Sequence, residues 1–294
     1  LIIISISMLC IFFINFLLSV YTIYFTTKFS WEVGNYLKSK IFKIYSSQPW
    51  IFHSQRETSS YVNKIQNETS RISNAAILPL LQVNAKLIIS LTIIVFIFFY
   101  NPVISTVCFF IFSIAYVLIF KVIKKKIYLD GLVLSTVSEV MYKKILETFG
   151  GIKETILHKK QEKFHNEFML EANKYAKSIV SIQFFQSSPK LFLEFIAFSV
   201  IVVSIIYTSL TGLEENLDKT LPVLAVYIFA GYKILPMFQN IYFGLLSLKS
   251  CEPAIDSIYN EINGKNSFEF KKEKSLLNKD FTLEDKIELK NISF

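Results

Sequence analysis

Residues 87–120, LIISLTIIVFIFFYNPVISTVCFFIFSIAYVLIF, give the strongest indication of the architecture of this chain, because these 34 residues carry no charged side chain. At about 1.5 Å per residue, one helix of this length would exceed a hydrocarbon core of about 30 Å. Asn101-Pro102 lies near the middle. Proline removes a backbone donor and disfavours the helical conformation of the residue before it. The stretch therefore predicts two membrane-spanning helices joined by a tight turn. A buried hairpin of a soluble protein is disfavoured, because soluble cores rarely hold two uncharged runs of this length.

The residues that follow this stretch give it an orientation. Lys121, Lys124, Lys125 and Lys126 come directly after it, whereas the turn at Asn101 carries no charge. The positive-inside rule places such lysines in the cytoplasm. We therefore expect the turn to lie outside.

Composition favours an all-α membrane protein. Of 294 residues, 52% are hydrophobic, and there are only 8 Gly and 7 Pro. Such a chain is too apolar for disorder and too poor in turn residues for a β-barrel. The net charge of +8 is concentrated beside the predicted spans, so no nucleic-acid partner is needed to explain it. The three cysteines are far apart in sequence and show no disulfide framework or zinc spacing.

Hydropathy and charge predict one membrane domain, residues 1–262, in which five spans alternate with charged segments. The expected spans are about 1–26, 77–100, 102–120, 191–210 and 221–248. Since the chain starts inside an apolar run, we expect it to be a fragment. Five spans with an outside start fit the loss of one upstream span from an even-numbered bundle, here an expected six. The charged segment 263–286 predicts a linker, and the alternating residues 287–294 predict the first strand of a second domain.

Two interruptions divide the predicted cytoplasmic helices. Gln48-Pro49-Trp50 interrupts the helix after the first span, since proline commonly follows a helix end. Residues 121–190 are polar with helical periodicity, and Gly150-Gly151 near their middle should break the helix. This pattern predicts an antiparallel hairpin in the cytoplasm, with arms of about 45 to 50 Å.

No constellation of residues indicates catalysis or a metal site in this chain. His53, His158 and His165 lie in polar segments, where solvated surface histidines are the simplest interpretation. The sequence contains no G-x-x-x-x-G-K-[ST] phosphate loop. We therefore assign no catalytic residues and no metal ligands.

Two charged residues inside the predicted spans are more informative. By helical rise, Glu194 lies about 6 Å and Lys233 about 12 Å below the inner surface. Unpaired charges at such depths cost several kcal/mol. We therefore predict a Glu194–Lys233 ion pair that fixes the register of two spans. The same pair could also face a polar cargo, or Glu194 could pair with Lys86 instead.

Several short segments carry a resemblance to a known family. They are Phe149-Gly150-Gly151-Ile152-Lys153-Glu154, residues 189–194 (PKLFLE), 232–236 (YKILP) and 239–242 (QNIY). Together with the span order, they resemble the transmembrane domain of ABC exporters, in the branch containing the bacterial lipid-linked oligosaccharide flippase. That branch tends to have arginine where Lys233 stands, which keeps the charge but removes the bidentate fork.

The resemblance implies a half-transporter that dimerises, expected as a homodimer in the bacterial inner membrane with a cytoplasmic C-terminus. ATP and Mg would bind a nucleotide-binding domain that begins near residues 287–294. The cargo would be an amphiphile, with a lipid-linked oligosaccharide or a similar precursor favoured and a peptide or drug as alternatives.

The resemblance assigns coupling to the motor domain to two transverse segments, which contain Trp50, Ile51, Phe52, Phe149, Gly150, Gly151, Ile152, Lys153 and Glu154. A helical membrane receptor or anchoring protein that does not transport is the competing interpretation.

Overall fold

The structure is a computed structural model that describes residues 2–100, 102–210 and 217–264. Within these ranges all regular structure is helical. The all-α architecture expected from composition is therefore confirmed for the described part of the chain.

The elements follow one another as nine α-helices and two π-helical segments among the described residues. The α-helices are α1 (Ile2–Ser46), α2 (Trp50–Ser54), α3 (Thr58–Val62), α4 (Thr69–Arg71), α5 (Leu78–Tyr100), α6 (Pro102–Gly150), α7 (Ile152–Leu157), α8 (Gln161–Leu210) and α9 (Leu217–Ile262). The π-helical segments are π1 (Asn63–Glu68), between α3 and α4, and π2 (Ile72–Ile77), between α4 and α5.

Four helices are far longer than a membrane is thick. Helices α1, α6, α8 and α9 contain 45, 49, 50 and 46 residues. At helical rise each measures roughly 68 to 75 Å, more than twice the hydrocarbon thickness. A large part of each helix must therefore lie outside the bilayer, as the predicted cytoplasmic extensions require.

Length and composition single out two described stretches as able to cross a membrane, Ile2–Ser46 and Thr58–Phe96. The side chains of residues 2–25 are all exposed, and most of them are apolar. This exposure agrees with a span whose surroundings are lipid or another protein. The division of the long helices into five spans stays a prediction.

The helix ends follow local sequence signals. Helix α1 ends just before Pro49, α6 begins at Pro102, and α6 ends at Gly150. The breaks predicted from Pro49 and from Gly150-Gly151 are therefore present. Asn101, residues 211–216, and residues 265–294 with the predicted strand and most of the predicted linker, lie outside the described residues.

The bundle has two buried apolar clusters. Helix α6 packs mainly against α8 and α9, and α5 packs against α9. The first cluster joins α1, α2, π2 and the end of α9 and contains Ile41, Tyr45, Phe52, Ile72, Ala76, Cys251, Ala254 and Ile258. The second joins α6, α8 and α9 and contains Tyr116, Ile127, Leu134, Ile182, Tyr242 and Leu246. Helix α9 contributes to both clusters, so it connects the two halves of the bundle.

Candidate functional site

Two short helices, α2 and α7, stand where long helices turn back, and the structure places both turns at one end of the bundle. Glu57, three residues after α2, accepts a hydrogen bond from Lys143 of α6. Lys143 lies only seven residues before Gly150, where α6 ends. The two turns are thus held near each other by an ion pair, and we call this end of the bundle the tip region.

The first turn exposes two of its three sequence-predicted coupling residues and buries the third. Trp50 is 81% exposed and Ile51 is 45% exposed, whereas Phe52 is only 2% exposed. A large apolar side chain left in solvent often marks an interaction surface. The geometry therefore divides the three predicted residues into two that can contact a partner and one that anchors α2.

Phe52 is held by an aromatic cluster. Its ring lies 6.1 Å from that of Tyr45 and 6.3 Å from that of Tyr61, measured between centroids. The guanidinium of Arg56 lies 4.2 Å from the centroid of Phe52. Burial, followed by the nearby Glu261 carboxylate, raises the pKa of the Tyr45 hydroxyl far above its usual range. Tyr45 therefore stays neutral in this cluster.

A buried carboxylate ties the first turn to the end of α9. Glu261, one residue before α9 ends, has a side chain only 2% exposed. Arg56 donates to both of its oxygens at 3.2 Å, and Lys64 also donates to it. A buried charge is tolerated only when it is paired and hydrogen-bonded, and two cations satisfy that condition here. The last turn of α9 and the segment after α2 are thereby connected. We call Arg56, Lys64 and Glu261 the α9 clamp.

The second turn presents an apolar surface of its own. Phe149, Ile152, Ile156 and Leu157 are 68%, 40%, 54% and 69% exposed. Thr155 is buried and donates its hydroxyl to the carbonyl of Gly151 at 2.9 Å, which fixes the short helix. The predicted residues Lys153 and Glu154 are exposed beside this surface.

The two glycines at the second turn differ in their surroundings. A Cβ on Gly150 would meet nothing within 4 Å, whereas one on Gly151 would lie 3.4 Å from the carbonyl oxygen of Glu147. Gly151 has φ −112° and ψ 38°, outside the helical region, and so separates α6 from α7. The break predicted from the pair therefore depends on the conformation of Gly151.

Two inter-helix ion pairs connect the helices of the tip region. Besides Glu57–Lys143, Lys144 of α6 donates to Glu167 of α8 at 2.6 Å. The hydrogen bonds from these lysines hold the pKa values of Glu57 and Glu167 below their ordinary value. The same bonds raise the pKa values of Lys143 and Lys144. Both pairs are therefore charged at neutral pH.

Arg71, which lies between the two π-helical segments, forms a second polar junction outside the tip region. Its guanidinium donates to the hydroxyl of Ser135 at 2.7 Å, to the carbonyl of Gly131 at 3.3 Å, and to that of Ser250 at 3.1 Å. It also pairs with the buried Glu68 at 3.3 Å. π-Helical turns are rare and frequently mark functional positions. Arg71 thus links α4, α6 and α9 at one point.

Glycine allows the close helix approach at this junction. A Cβ on Gly131 of α6 would lie 2.0 Å from the carbonyl oxygen of Ser250 in α9. Only hydrogen at that position lets the two backbones come so near.

The structure gives one of the two predicted intramembrane charges a partner in its own helix. Glu194 lies 3.6 Å from Lys190, one turn earlier in α8. Lys233 is exposed, and among the described residues no ion pair joins it to Glu194. The inter-helix pair between Glu194 and Lys233 stays a prediction, and Lys190 is the partner that this structure assigns to Glu194.

The α9 clamp and the Arg71 junction are not evident from the sequence. Glu261 is 205 residues from Arg56 and 197 from Lys64, and no local pattern connects them. The one available signal is that Arg56, Lys64 and Arg71 are cations in a segment whose apolar residues indicate packing.

As for metals, within the described ranges no three His, Cys, Asp or Glu side chains gather as a candidate ligand set.

A comparison with known protein families completes the description of the site. A family model described as the ABC transporter transmembrane region matches residues 1–229, from α1 into α9 and through both turns of the tip region. No curated protein matches the chain.

Proposed function

Because the chain belongs to the family of ABC transporter transmembrane regions, we propose that it is the membrane half of an ATP-driven exporter of an amphiphilic substrate. Membership of this family establishes that the chain is a membrane protein with a role in membrane transport. The proposal adds the direction of transport, the class of substrate and the coupling residues. The observation that carries it is the exposed apolar surface of the tip region.

The tip region supplies the contact through which a motor domain can act. Trp50 and Ile51 at the first turn, and Phe149 and Leu157 at the second, present apolar area to solvent. Such side chains fit the apolar pockets in which large residues carry most of the energy of an interface. We assign the coupling function to them and to the neighbouring Gly150, Gly151, Ile152, Lys153 and Glu154.

The long helices can then transmit motor movement to the membrane. Helices α6 and α8 run from the tip region into the predicted spans and pack along each other. Displacement of the tips would move these helices as rods and open the cavity alternately to the two sides, as in other rigid-body transitions. The α9 clamp makes the last turn of α9 move together with the first turn.

The partners follow from the family. Membrane domains of ABC transporters generally pair with a second half or with a nucleotide-binding domain. We propose a homodimer in the bacterial inner membrane, with the C-terminus in the cytoplasm. ATP and Mg are assigned to a nucleotide-binding domain and to no residue of this chain, because the chain has no phosphate loop.

The favoured cargo is a lipid-linked oligosaccharide or a similar precursor. Its support is the resemblance of the segments around Gly150, Pro189 and Lys233 to the flippase branch. Apolar spans with basic inner edges are compatible with an amphiphile that carries phosphate. Peptide or drug cargo, and a receptor or anchoring protein without transport, are the alternatives that the following experiment separates.

The test uses the full-length protein in proteoliposomes, with ATP hydrolysis and flipping of a fluorescent lipid-linked oligosaccharide measured together. Trp50→Ala and Leu157→Ala should lower coupled flipping about tenfold, as expected for loss of an interface anchor. Trp31→Ala and Leu132→Ala remove side chains of the same types that are 43% and 42% exposed and lie away from the tip region, so they serve as controls.

Each result has a distinct meaning. ATP-dependent movement of a peptide or drug but not of the oligosaccharide lipid would correct the cargo alone. Wild-type protein that neither hydrolyses ATP nor moves any cargo would overturn the exporter proposal in favour of a receptor or anchor. Equal flipping by tip variants and controls would overturn the coupling assignment.

A further inference from the structure

One face of α6 carries a concentration of positive charge at the predicted inner edge of the membrane. At 100° per residue, Lys121, Lys124, Lys125 and Tyr128 fall within an arc of about 100°. The three lysines are exposed. The buried residue Ile127 lies toward the opposite side of the helix, where α6 packs on α8 and α9. The lysines therefore point away from the bundle core.

Neighbouring lysines are neutralised within the structure, whereas these three are not. Lys126 lies off this face and donates to Asp130 at 2.9 Å. Lys249 of α9 pairs with Glu252. In the part of the chain that the structure describes, no ion pair involves Lys121, Lys124 or Lys125. The face therefore keeps three positive charges that no acidic side chain of the described residues neutralises.

A residue from a second helix borders this face. The Nζ atom of Lys249 lies 5.1 Å from the centroid of the Tyr128 ring. Tyr128 is three and four residues from Lys125 and Lys124, so its ring stands beside them on the helix. The lysine face of α6 thus borders α9 at Tyr128, where Lys249 is already paired with Glu252.

The same face continues toward the predicted membrane interior as an apolar strip. Ile114, Val117 and Leu118 precede Lys121 by three to seven residues and are 55%, 51% and 58% exposed. Ile114 and Val117 fall within the same arc of α6 as the lysines, and Leu118 lies about 20° beyond its edge. An apolar strip that leads into unpaired cations matches a molecule with a hydrocarbon chain and an anionic head.

We propose that this face binds an anionic phospholipid of the inner leaflet. The phosphate would lie among Lys121, Lys124 and Lys125, and an acyl chain would lie along Ile114 and Leu118. Lysines at this level attract anionic headgroups, and their stems can follow apolar surface while the ammonium groups reach the interface. A second copy of this chain fits less well, because a two-fold contact would bring the same lysines together.

The inference rests on the predicted orientation of α6 in the membrane and not on any cargo or on ATP hydrolysis. A binding experiment can therefore fail or succeed independently of transport. We would titrate the full-length protein in detergent micelles with phosphatidylglycerol and with phosphatidylcholine, and count bound lipids by native mass spectrometry.

The wild-type protein should bind the first phosphatidylglycerol more tightly than phosphatidylcholine. The triple variant Lys121→Gln, Lys124→Gln, Lys125→Gln should lose this preference, by roughly fivefold for each lysine. The matching triple arginine variant keeps the charge and should retain the preference. The control variant Lys159→Gln, Lys160→Gln, Lys177→Gln removes the same charge from exposed positions in the turn between α7 and α8 and in α8.

Three outcomes would overturn the proposal. The first is an unchanged lipid preference in the triple glutamine variant. The second is an equal loss in the control variant, because net charge and not this face would then set the preference. The third is a disulfide between two copies of a Val117→Cys variant in membranes, since a second copy would then cover the face.

Discussion

The guanidinium of Arg56 lies 3.2 Å from both carboxylate oxygens of Glu261, although 205 residues separate the two in sequence. Lys64 donates to the same carboxylate, which is almost fully buried. This contact connects the turn after the first long helix with the last turn of α9. The two segments are therefore joined by a buried ion pair.

Removing the charge of Glu261 should destabilise the tip region. Glu261→Gln leaves two cations around a neutral amide, and breaking a buried pair is costly. Because Arg56 and Lys64 keep some solvent contact, we expect a loss of about 2 kcal/mol in unfolding free energy. Thermal unfolding in detergent would measure it. Asp256→Asn, an exposed acid on the same helix, is the control, and an equal effect of both variants would contradict the clamp.

Alanine substitutions of Phe52 and of Trp50 in the first turn should differ in their effect on the free energy of unfolding. Phe52→Ala removes a buried ring and should cost about 3 kcal/mol of stability, as is typical for large-to-small changes in a core. Trp50→Ala removes an exposed ring and should leave stability within about 0.5 kcal/mol. Chemical denaturation of both variants checks this difference. A destabilising Trp50→Ala would show that Trp50 is packed in the isolated membrane half.

A methyl group at the Arg71 junction should force α6 and α9 apart. Gly131→Ala would bring a Cβ to 2.0 Å from the carbonyl oxygen of Ser250, and backbone cannot give way cheaply. Overpacking of this kind costs about 1 to 3 kcal/mol. In the control variant Gly231→Ala, in α9, the Cβ would meet nothing within 4 Å, so that variant should be neutral or slightly stabilising. Melting temperatures of the two variants in the same detergent make the comparison, and a neutral Gly131→Ala would refute the close approach.

The ion pairs of the tip region should weaken in acid. The pKa values of Glu57 and Glu167 are lowered in the folded state, so their contribution is present above the ordinary value of 4.5. It is lost as the pH falls through the folded pKa values, because both carboxylates then become neutral. The stability difference between wild type and the variant Glu57→Gln, Glu167→Gln should shrink as the pH falls below 4.5. A difference that is constant from pH 7 to the lowest pH reached would exclude this role.

The thiol of Cys251 should be inert in the folded protein. It is fully buried, and burial raises its pKa to about 12. Since the thiolate is the reactive form, maleimide at pH 7.5 should label it only after denaturation. Ser47→Cys, an exposed position, supplies the control in a background without Cys10 and Cys108. Rapid labelling of native Cys251 would mean that the end of α9 opens locally.

The ends of the long helices could be predicted because their causes are local. The residues around Pro49 and Gly150-Gly151 break their helices through their own backbone preferences. The same reasoning located the turn regions that hold Trp50 and Phe149, although it did not separate the exposed Trp50 from the buried Phe52. Alternation of exposure within α2 depends on what packs beneath it.

The partners of charged side chains are harder to predict from local sequence. Depth along a helix predicted a partner for Glu194 on another helix, and the structure places Lys190, one turn away, within 3.6 Å. Depth gives no information on the direction in which a side chain points around its helix. The same lack of rotational information hides the partner of Glu261.

An all-α membrane protein with long helices, two turn regions and a resemblance to a known family can be predicted from residue order, because hydropathy, proline, glycine and short motifs act over a few residues. The contacts of Arg56 and Lys64 with Glu261, of Arg71 with three helices, and of Gly131 with Ser250 become visible only in the folded bundle. These contacts depend on the rotation and packing of helices distant in sequence. No local pattern encodes that arrangement, since it arises from the combined burial of many side chains.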